Sequence, residues 1–555
     1  MSKNITIYCR NTNSYHDFRI GTTLLNIATQ LNIRLKHDIV AARVNYKTEG
    51  LNFPIYKPKD IEFIDVTCSS GMRVYVRTLS MVLAYATKKL FPKAVLSIVH
   101  AISKGYYCRI EHLGHKISKK DIELIKAEMK KIIEAGEKII EEEKQVTEAK
   151  KIFAKQYNGY ESMSLFETIN TPYMKYFRIN NYVDYYNGVL LPSTDKLHLF
   201  DLIPYYDGIL LRIPNKNNPS QLEEFEEMPK LFDIFKEHVS WNKIINVSTI
   251  GEFNVACRNK KAFDLIKIAE ALHEKKIARI TDTIEKNASI KVILVSGPSS
   301  SGKTTFSKRL SVQLMASGLK PVMLSMDNYF VDRENTPVDE NGEHDYEHLH
   351  ALDLDFFNQQ IRQLVNHEEI DLPVFNFETG KREYRGKKLK LTKESILIIE
   401  GIHALNPSLL PKIPRKNTFK IYVSALTTIA IDSHNWIPTT DTRLLRRIIR
   451  DHRYRNYSAR ETIARWPSIR RGEDKWIFPY QEDADVMFNS ALIFELAVLK
   501  KYAEPVLSEV PKYCDEYAEA YRLIKFLGFF ASIPDREIPP TSLLREFTGG
   551  SSFRY

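Results

Sequence analysis

Apolar and polar positions alternate along the first stretch of the chain, in ITIYC at residues 5–9 and again in DFRIG at 17–21. This is the period-two signature of half-buried strands. A short helical pattern over 23–31 and apolar runs over 39–44 and 61–66 predict a small mixed sheet with one helix. From 77 to 90 the apolar positions Leu79, Val82, Leu83, Ala86 and Leu90 recur at helical spacing. Ser118 and Asp121 spell a capping box, which predicts a long helix from there to about Lys151. Its stripe of Ile122, Ile125, Met129 and Ile132 lapses at Gly136 and Glu143, so packing on a neighbouring sheet fits better than a coiled coil. Residues 160–250 are rich in tyrosine and asparagine, with strand-like pieces such as 209–213. A helical stretch over 262–286 leads into an apolar strand at 291, read as the start of a self-contained sheet. The last segment, PPTSLLREFTGGSSFRY from Pro539, carries glycines and serines that predict a flexible or ligand-ordered tail.

At 555 residues the chain is too long for one core, and about 150 residues per domain gives three or four. Its 43% apolar and 27% charged residues describe ordinary globular material, and no apolar run is long enough to span a membrane. The opening MSKNITIYCRN lacks the charged-then-apolar layout of a signal peptide. Five cysteines (Cys9, Cys68, Cys108, Cys257 and Cys514) lie far apart and form no CxxC pair. That argues against a disulfide scaffold or a zinc site and fits a reducing cytoplasm. A net charge of +11 fits either nucleic-acid binding or arginines gathered about a triphosphate, and with no long Lys/Arg block it does not choose.

The apolar strand breaks into GPSSSGKT, Gly297 to Thr304, and a helical pattern follows to Gly318. That is G-x-x-x-x-G-K-[ST] in the strand–loop–helix setting the motif requires, and it predicts a nucleoside-triphosphate site. The cradle is expected from Gly297, Ser299, Ser300, Ser301, Gly302, Lys303, Thr304 and Thr305. Backbone N–H groups and the helix dipole receive phosphate, Lys303 adds a point charge, and the Thr304 hydroxyl ligates magnesium. The next strand, 321–326, ends in Asp327, Asn328, Tyr329 and Phe330. An aspartate there either caps a turn or, beside a phosphate loop, takes a proton from an attacking hydroxyl or holds a magnesium-bound water; the second reading is preferred. A further strand over 395–399 ends in Glu400, placed to reach the metal. DTRLLRRIIRD, Asp441 to Asp451, sets Arg443, Arg446, Arg447 and Arg450 on a helix, with Arg455 shortly after. Such arginines either form a solvated basic face or close as a mobile lid over a triphosphate, and few acidic partners favour the lid.

These elements in this order resemble the uridine kinase and phosphoribulokinase family. GPSSSGKTT, DNYF, LPVFNF at 372–377, IIEGIHAL at 398–405 and DTRLLRRIIRD carry the resemblance over about 290–500. It implies transfer of the ATP γ-phosphate to a sugar hydroxyl, with Asp327 as catalytic base, Lys303 on the phosphates, and Thr304, Asp327 and Glu400 as the Mg2+ shell. Arg443 and Arg446 match arginines that touch substrate and phosphates, Arg455 matches a lid arginine, and Tyr329, Phe330 and Phe375 fall on the acceptor side. Animal-type uridine–cytidine kinases carry tyrosine where Phe375 stands, histidine where Gly380 stands and a ribose-binding aspartate where His350 stands; their lid RGR reads Arg455-Asn456-Tyr457 here. Residues 1–65 resemble a TGS domain, and 70–235 resemble the editing-type domain of threonyl-tRNA synthetases, through GYYCRI at 105–110 and the Ser118 helix. The synthetase's HxxxH falls on Thr78 and Val82, and CxxxH occurs at Cys108–His112, before the long helix, so a zinc or hydrolytic site is not expected.

The expected fold is α/β: a β-grasp TGS-like domain (1–66), an α+β editing-like domain (67–235), a helical connector (236–288), a P-loop kinase domain with a mostly parallel sheet and helices on both faces (289–510), and a C-terminal helix and tail (511–555). The resemblance implies a cytoplasmic, ATP- and Mg2+-dependent nucleoside kinase acting on uridine or cytidine, a homo-oligomer with no membrane partner. Two other readings stand beside it: a nucleotide-switched regulator contacting RNA through the N-terminal half, and a kinase of another small-metabolite hydroxyl.

Overall fold

The computed structural model describes residues 4–157, 162–169, 171–340 and 342–554. Residues 1–3 of the opening segment and Tyr555 of the tail lie outside the described residues. The alternation at the start folds as strands in the order Ser14–Arg19, Asn4–Cys9, Asp60–Ile64, Ala41–Val44 and Lys47–Glu49, with only the Asn4–Cys9/Asp60–Ile64 pair parallel. Ile7, Phe18, Ile61 and Phe63 form a core with Leu24 and Ile27 of the helix Leu24–Gln30.

The helix Ser69–Leu90 begins eight residues before its stripe, because Cys68 caps it by accepting the Gly71 amide. It packs with the helix Lys119–Glu134 on an antiparallel sheet ordered Asp201–Tyr205, Gly208–Arg212, Gly105–Glu111, Val95–Ile102. The Ser118/Asp121 capping box is present, but the helix ends at Glu134, not near Lys151. Gly136 turns the chain at φ +60°, and Ile139–Gln145 becomes a strand against Tyr173–Ile179. The Glu/Lys run has helical propensity, yet Glu142 accepts from Tyr176 Oη at 2.5 Å and pairs with Arg178 at 2.6 Å across the sheet. Those cross-strand partners outweigh the local preference. A helix resumes over Val146–Tyr157.

The site rests on a five-stranded, wholly parallel sheet ordered Lys320–Ser325, Ser395–Glu400, Val292–Ser296, Thr418–Ser424, Val486–Asn489. Its strands read as continuous apolar runs because both faces are covered. Ile293 and Val295 meet Phe306, Leu310 and Leu314 of the helix Lys303–Ala316, together with Ile277 and Ile280 of the helix Ala262–Glu285. Val292 and Leu294 face the other side, against Phe357 and Ile361 of the helix Leu354–Val365.

The sheet is not self-contained, contrary to the sequence expectation. Ile102, Tyr107, Tyr205, Leu210, Phe232 and Phe235 share one core with Val292, Leu294, Leu324 and Tyr422. Phe153, Phe166 and Tyr176 share another with Ile429, Leu444, Phe494 and Phe547. The connection after Thr418–Ser424 runs into the N-terminal half: Ser433 O accepts from the Ile98 amide at 2.7 Å, and His434 Nδ1 pairs with Asp184 Oδ2 at 2.8 Å. Trp436 packs against Tyr106 with the two rings tilted and their centroids 4.3 Å apart. The tail is packed on the rest of the chain, with Leu543, Leu544 and Phe547 fully buried. Among the described residues no helix is long and apolar enough to cross a membrane.

Candidate functional site

A buried strand, Val292–Ser296, delivers the chain into the loop at the carboxyl edge of the sheet. Gly297, at φ +155°, is required there: a Cβ would stand 1.9 Å from Val423 O. Ser300 adopts φ +59° and Gly302 φ +84°, turning the loop into the helix that starts at Lys303. The first N–H groups of that helix have no intrahelical acceptor and form the positive end of its dipole. The hydroxyls of Ser300 and Ser301 are buried with no hydrogen-bond partner among the described residues, which suits them to donate to phosphate oxygens. Lys303 folds back, its Nζ donating to Pro298 O at 3.2 Å.

Parallel register sets Ser325, Glu400 and Val295 side by side. Glu400 Oε1 accepts from Thr304 Oγ1 at 3.2 Å and from Ser325 Oγ at 3.1 Å. Burial, and then the Asp327 carboxylate, push the Glu400 pKa up to about 7. Asp327 follows at once in the 3-10 turn Met326–Tyr329. The donor set is all oxygen, with two carboxylates and a hydroxyl facing a phosphate loop. This is the hard donor chemistry that magnesium takes alongside phosphate oxygens, and a cation there reverses the penalty on Glu400.

The arginines are braces and not a lid. The helix Thr439–Tyr454 lies in the core through Leu444, Leu445, Ile448 and Ile449. Arg443, expected on substrate, is fully buried; its Nε donates to Ser299 O at 3.0 Å and its other arm pairs with Glu473. Arg446, expected on phosphate, is fully buried between Glu495 at 2.5 Å, Ser490 O at 2.9 Å and the Phe547 ring. Arg447, placed on this helix by the sequence, donates to Ser299 Oγ at 2.6 Å, and one residue the sequence did not single out completes the hold: Glu473 Oε1 accepts the Ser299 amide at 3.1 Å. Burial works against ionisation of Asp451, but Arg450, Arg447 and Arg455 outweigh it and hold that carboxyl below its usual range. Repulsion from Arg450, and then burial, lower the Arg455 pKa to about 10.

On the acceptor side Tyr329 does not line the site. It is fully buried in the core, its hydroxyl donating to Gln360 Oε1 at 2.7 Å, because the 3-10 turn sends it away from Asp327. Phe330 and Phe375 do come together, 5.6 Å apart, and Phe377 joins them at 5.2 Å from Phe375. Arg455 stands over the Phe377 ring at 4.7 Å. Gly380 closes the hairpin at φ +71° with the Arg333 side chain against it, where a Cβ would meet atoms at 2.8 Å; a histidine does not fit there. His350 is exposed. In the N-terminal half Thr78 and Val82 are packing positions, Thr78 Oγ1 accepting the Leu191 amide at 3.0 Å, and Cys108 is core.

Residues 292–494 match the model of the phosphoribulokinase / uridine kinase family. A uridine kinase of Anoxybacillus flavithermus is 27% identical over 197 residues, 35% of this chain and 84% of that protein. A threonine–tRNA ligase of Clostridioides difficile is 29% identical over 184 residues of the N-terminal part, 33% of this chain. The chain spans only 29% of that ligase's length. A solved structure of a possible uridine kinase from Bacillus stearothermophilus is similar over 39% of this chain and 98% of its own, with 21% identity and a TM-score of 0.27.

Proposed function

We propose that the protein is an ATP-dependent nucleoside kinase that moves the γ-phosphate of ATP to the 5′-hydroxyl of uridine, or of cytidine. The observation that carries this is the meeting of Thr304, Glu400 and Ser325 within 3.2 Å beside Asp327, at the mouth of the phosphate loop. ATP binds on the amides that follow Gly302, and Lys303 leaves Pro298 O for the phosphates. Thr304, Glu400 and Asp327 hold Mg2+, which neutralises charge on the transferring group. Asp327 takes the proton of the acceptor hydroxyl, while Phe330, Phe375 and Phe377 carry the acceptor ring and Arg455 flanks it. Positioning and charge stabilisation supply the catalysis, as phosphoryl transfer requires.

The family match supports a kinase, and the uridine kinase relatives support a nucleoside acceptor. The histidine-free turn at Gly380 favours a second reading of the acceptor, another small metabolite bearing a hydroxyl. The ligase likeness of the N-terminal part favours RNA as an additional partner there. The test is ATP consumption by the purified chain against a panel of nucleosides and sugar phosphates. Uridine or cytidine turnover is expected, and Asp327→Asn should lower it by about 10²–10⁴ with ATP binding retained. Clean ATP binding without turnover on any nucleoside would reject the nucleoside reading, and near-normal turnover in Asp327→Asn would remove the base.

A further inference from the structure

The C-terminal segment ends on the phosphate cradle. Glu546 Oε2 accepts from the Thr305 amide at 3.2 Å and from Thr305 Oγ1 at 2.6 Å. Thr305 is the third residue of the helix Lys303–Ala316, so its amide is one of the first-turn donors that an incoming phosphate must use. A carboxylate there answers both the orphan N–H and the helix dipole, as phosphate does.

The backbone that presents Glu546 is fixed. Leu543 is fully buried, and its Cδ2 stands 2.1 Å from where a Cβ on Gly302 would be, so the tail seals the glycine of the loop itself. Ser542 Oγ donates to Glu270 at 2.5 Å, Phe547 packs its face on Arg446, and Lys308 donates to Arg554 O. Gly549 and Gly550, at φ +82° and +76°, turn the chain beside Arg453 and Arg545. Glu546 itself is half-buried, so its side chain has room to move while the apolar residues beside it hold the backbone.

We propose that Glu546 is a resident anion of the phosphate cradle, a self-inhibitory contact that the triphosphate displaces when it binds. The proposal rests on the reading of the loop as a triphosphate site. Nucleotide affinity is therefore set by a competition inside the chain, and the tail holds the loop in its liganded shape while no nucleotide is present.

Equilibrium binding of Mg-ATP to the full-length protein tests this with Glu546→Gln, Glu546→Ala and Lys303→Ala, each checked for folding by thermal melting. Both Glu546 variants should bind ATP about fivefold more tightly than wild type, the scale of a carboxylate at a helix N-terminus. Lys303→Ala should bind it far more weakly. If Glu546→Ala melts early, Glu546→Gln keeps the shape and an acceptor and decides the matter. Unchanged or weaker ATP binding in Glu546→Gln, with Lys303→Ala still losing it, would overturn the competition and leave the triphosphate site standing. Absence of nucleotide binding in every form, wild type included, would overturn both.

Discussion

On the phosphate side of the site, Ser299 is held at its amide by Glu473, at its carbonyl by Arg443 and at its hydroxyl by Arg447. On the acceptor side, Phe330, Phe375 and Phe377 meet edge to face, and Phe377 is 39% exposed. Phosphate geometry is the same whatever the acceptor, so a loop that receives it gains from being held at every polar atom. A flat ring is accepted by stacking with little demand on its hydrogen bonds, so that side sets shape more than identity. On the proposed kinase reading, the contrast keeps the phosphate side fixed while leaving the acceptor side open to a change of ring.

The largest effect should follow from cutting the clamp. Arg443→Ala leaves the fully buried Glu473 carboxylate with Arg470 and the Ser299 amide alone. Loss of one partner of a buried pair costs about 3–5 kcal/mol, to be read by urea unfolding. A loss below about 1 kcal/mol would mean that the loop is not clamped. Phe377→Ala should act on the other side only: stability within about 0.5 kcal/mol, and acceptor KM raised about five- to thirtyfold with ATP KM unchanged. An equal rise in both KM values would erase the distinction between the sides.

The smallest effect concerns pH. Glu400 holds its proton more tightly folded than unfolded, with a pKa near 7 against an ordinary 4.5. Such a carboxyl stabilises the metal-free fold below its unfolded pKa, and that contribution is lost as pH rises through about 7. The melting temperature of Glu400→Gln relative to wild type should therefore climb by a few degrees between about pH 5.5 and 8. A flat difference would show that Glu400 does not carry the buried charge, and added magnesium should shrink the climb.

The parts of the site that were legible in the sequence are the parts determined locally. An apolar run, glycines where φ turns positive and a helix start all lie within a few residues of Lys303, and Glu400 is legible as the end of an apolar strand. Glu473 and Glu546 lie 174 and 241 residues from the atoms they contact, and nothing in Glu473's own neighbourhood marks it. The acidic residue in the glycine-bearing tail REFTGG was the one available signal for Glu546. Tyr329 was misplaced because a 3-10 turn divides neighbours between site and core. The helix expected to reach about Lys151 failed because its Glu and Lys residues find cross-strand partners more than thirty positions away. The arginine helix was read as a lid because Glu473 and Glu495, which pair with Arg443 and Arg446, come from other helices.

The mixed cores bear on how the chain is made. Phe153, Phe166 and Tyr176 leave the ribosome long before Ile429, Leu444 and Phe494, the residues that cover them. At about 5–20 residues per second, the wait between Tyr185 and Ile429 lasts about ten to fifty seconds. Val247, Ile250, Phe253 and Ile266 of the same core emerge part-way through that interval, so the aromatic face is covered in two stages, the second completed only once the last helices emerge.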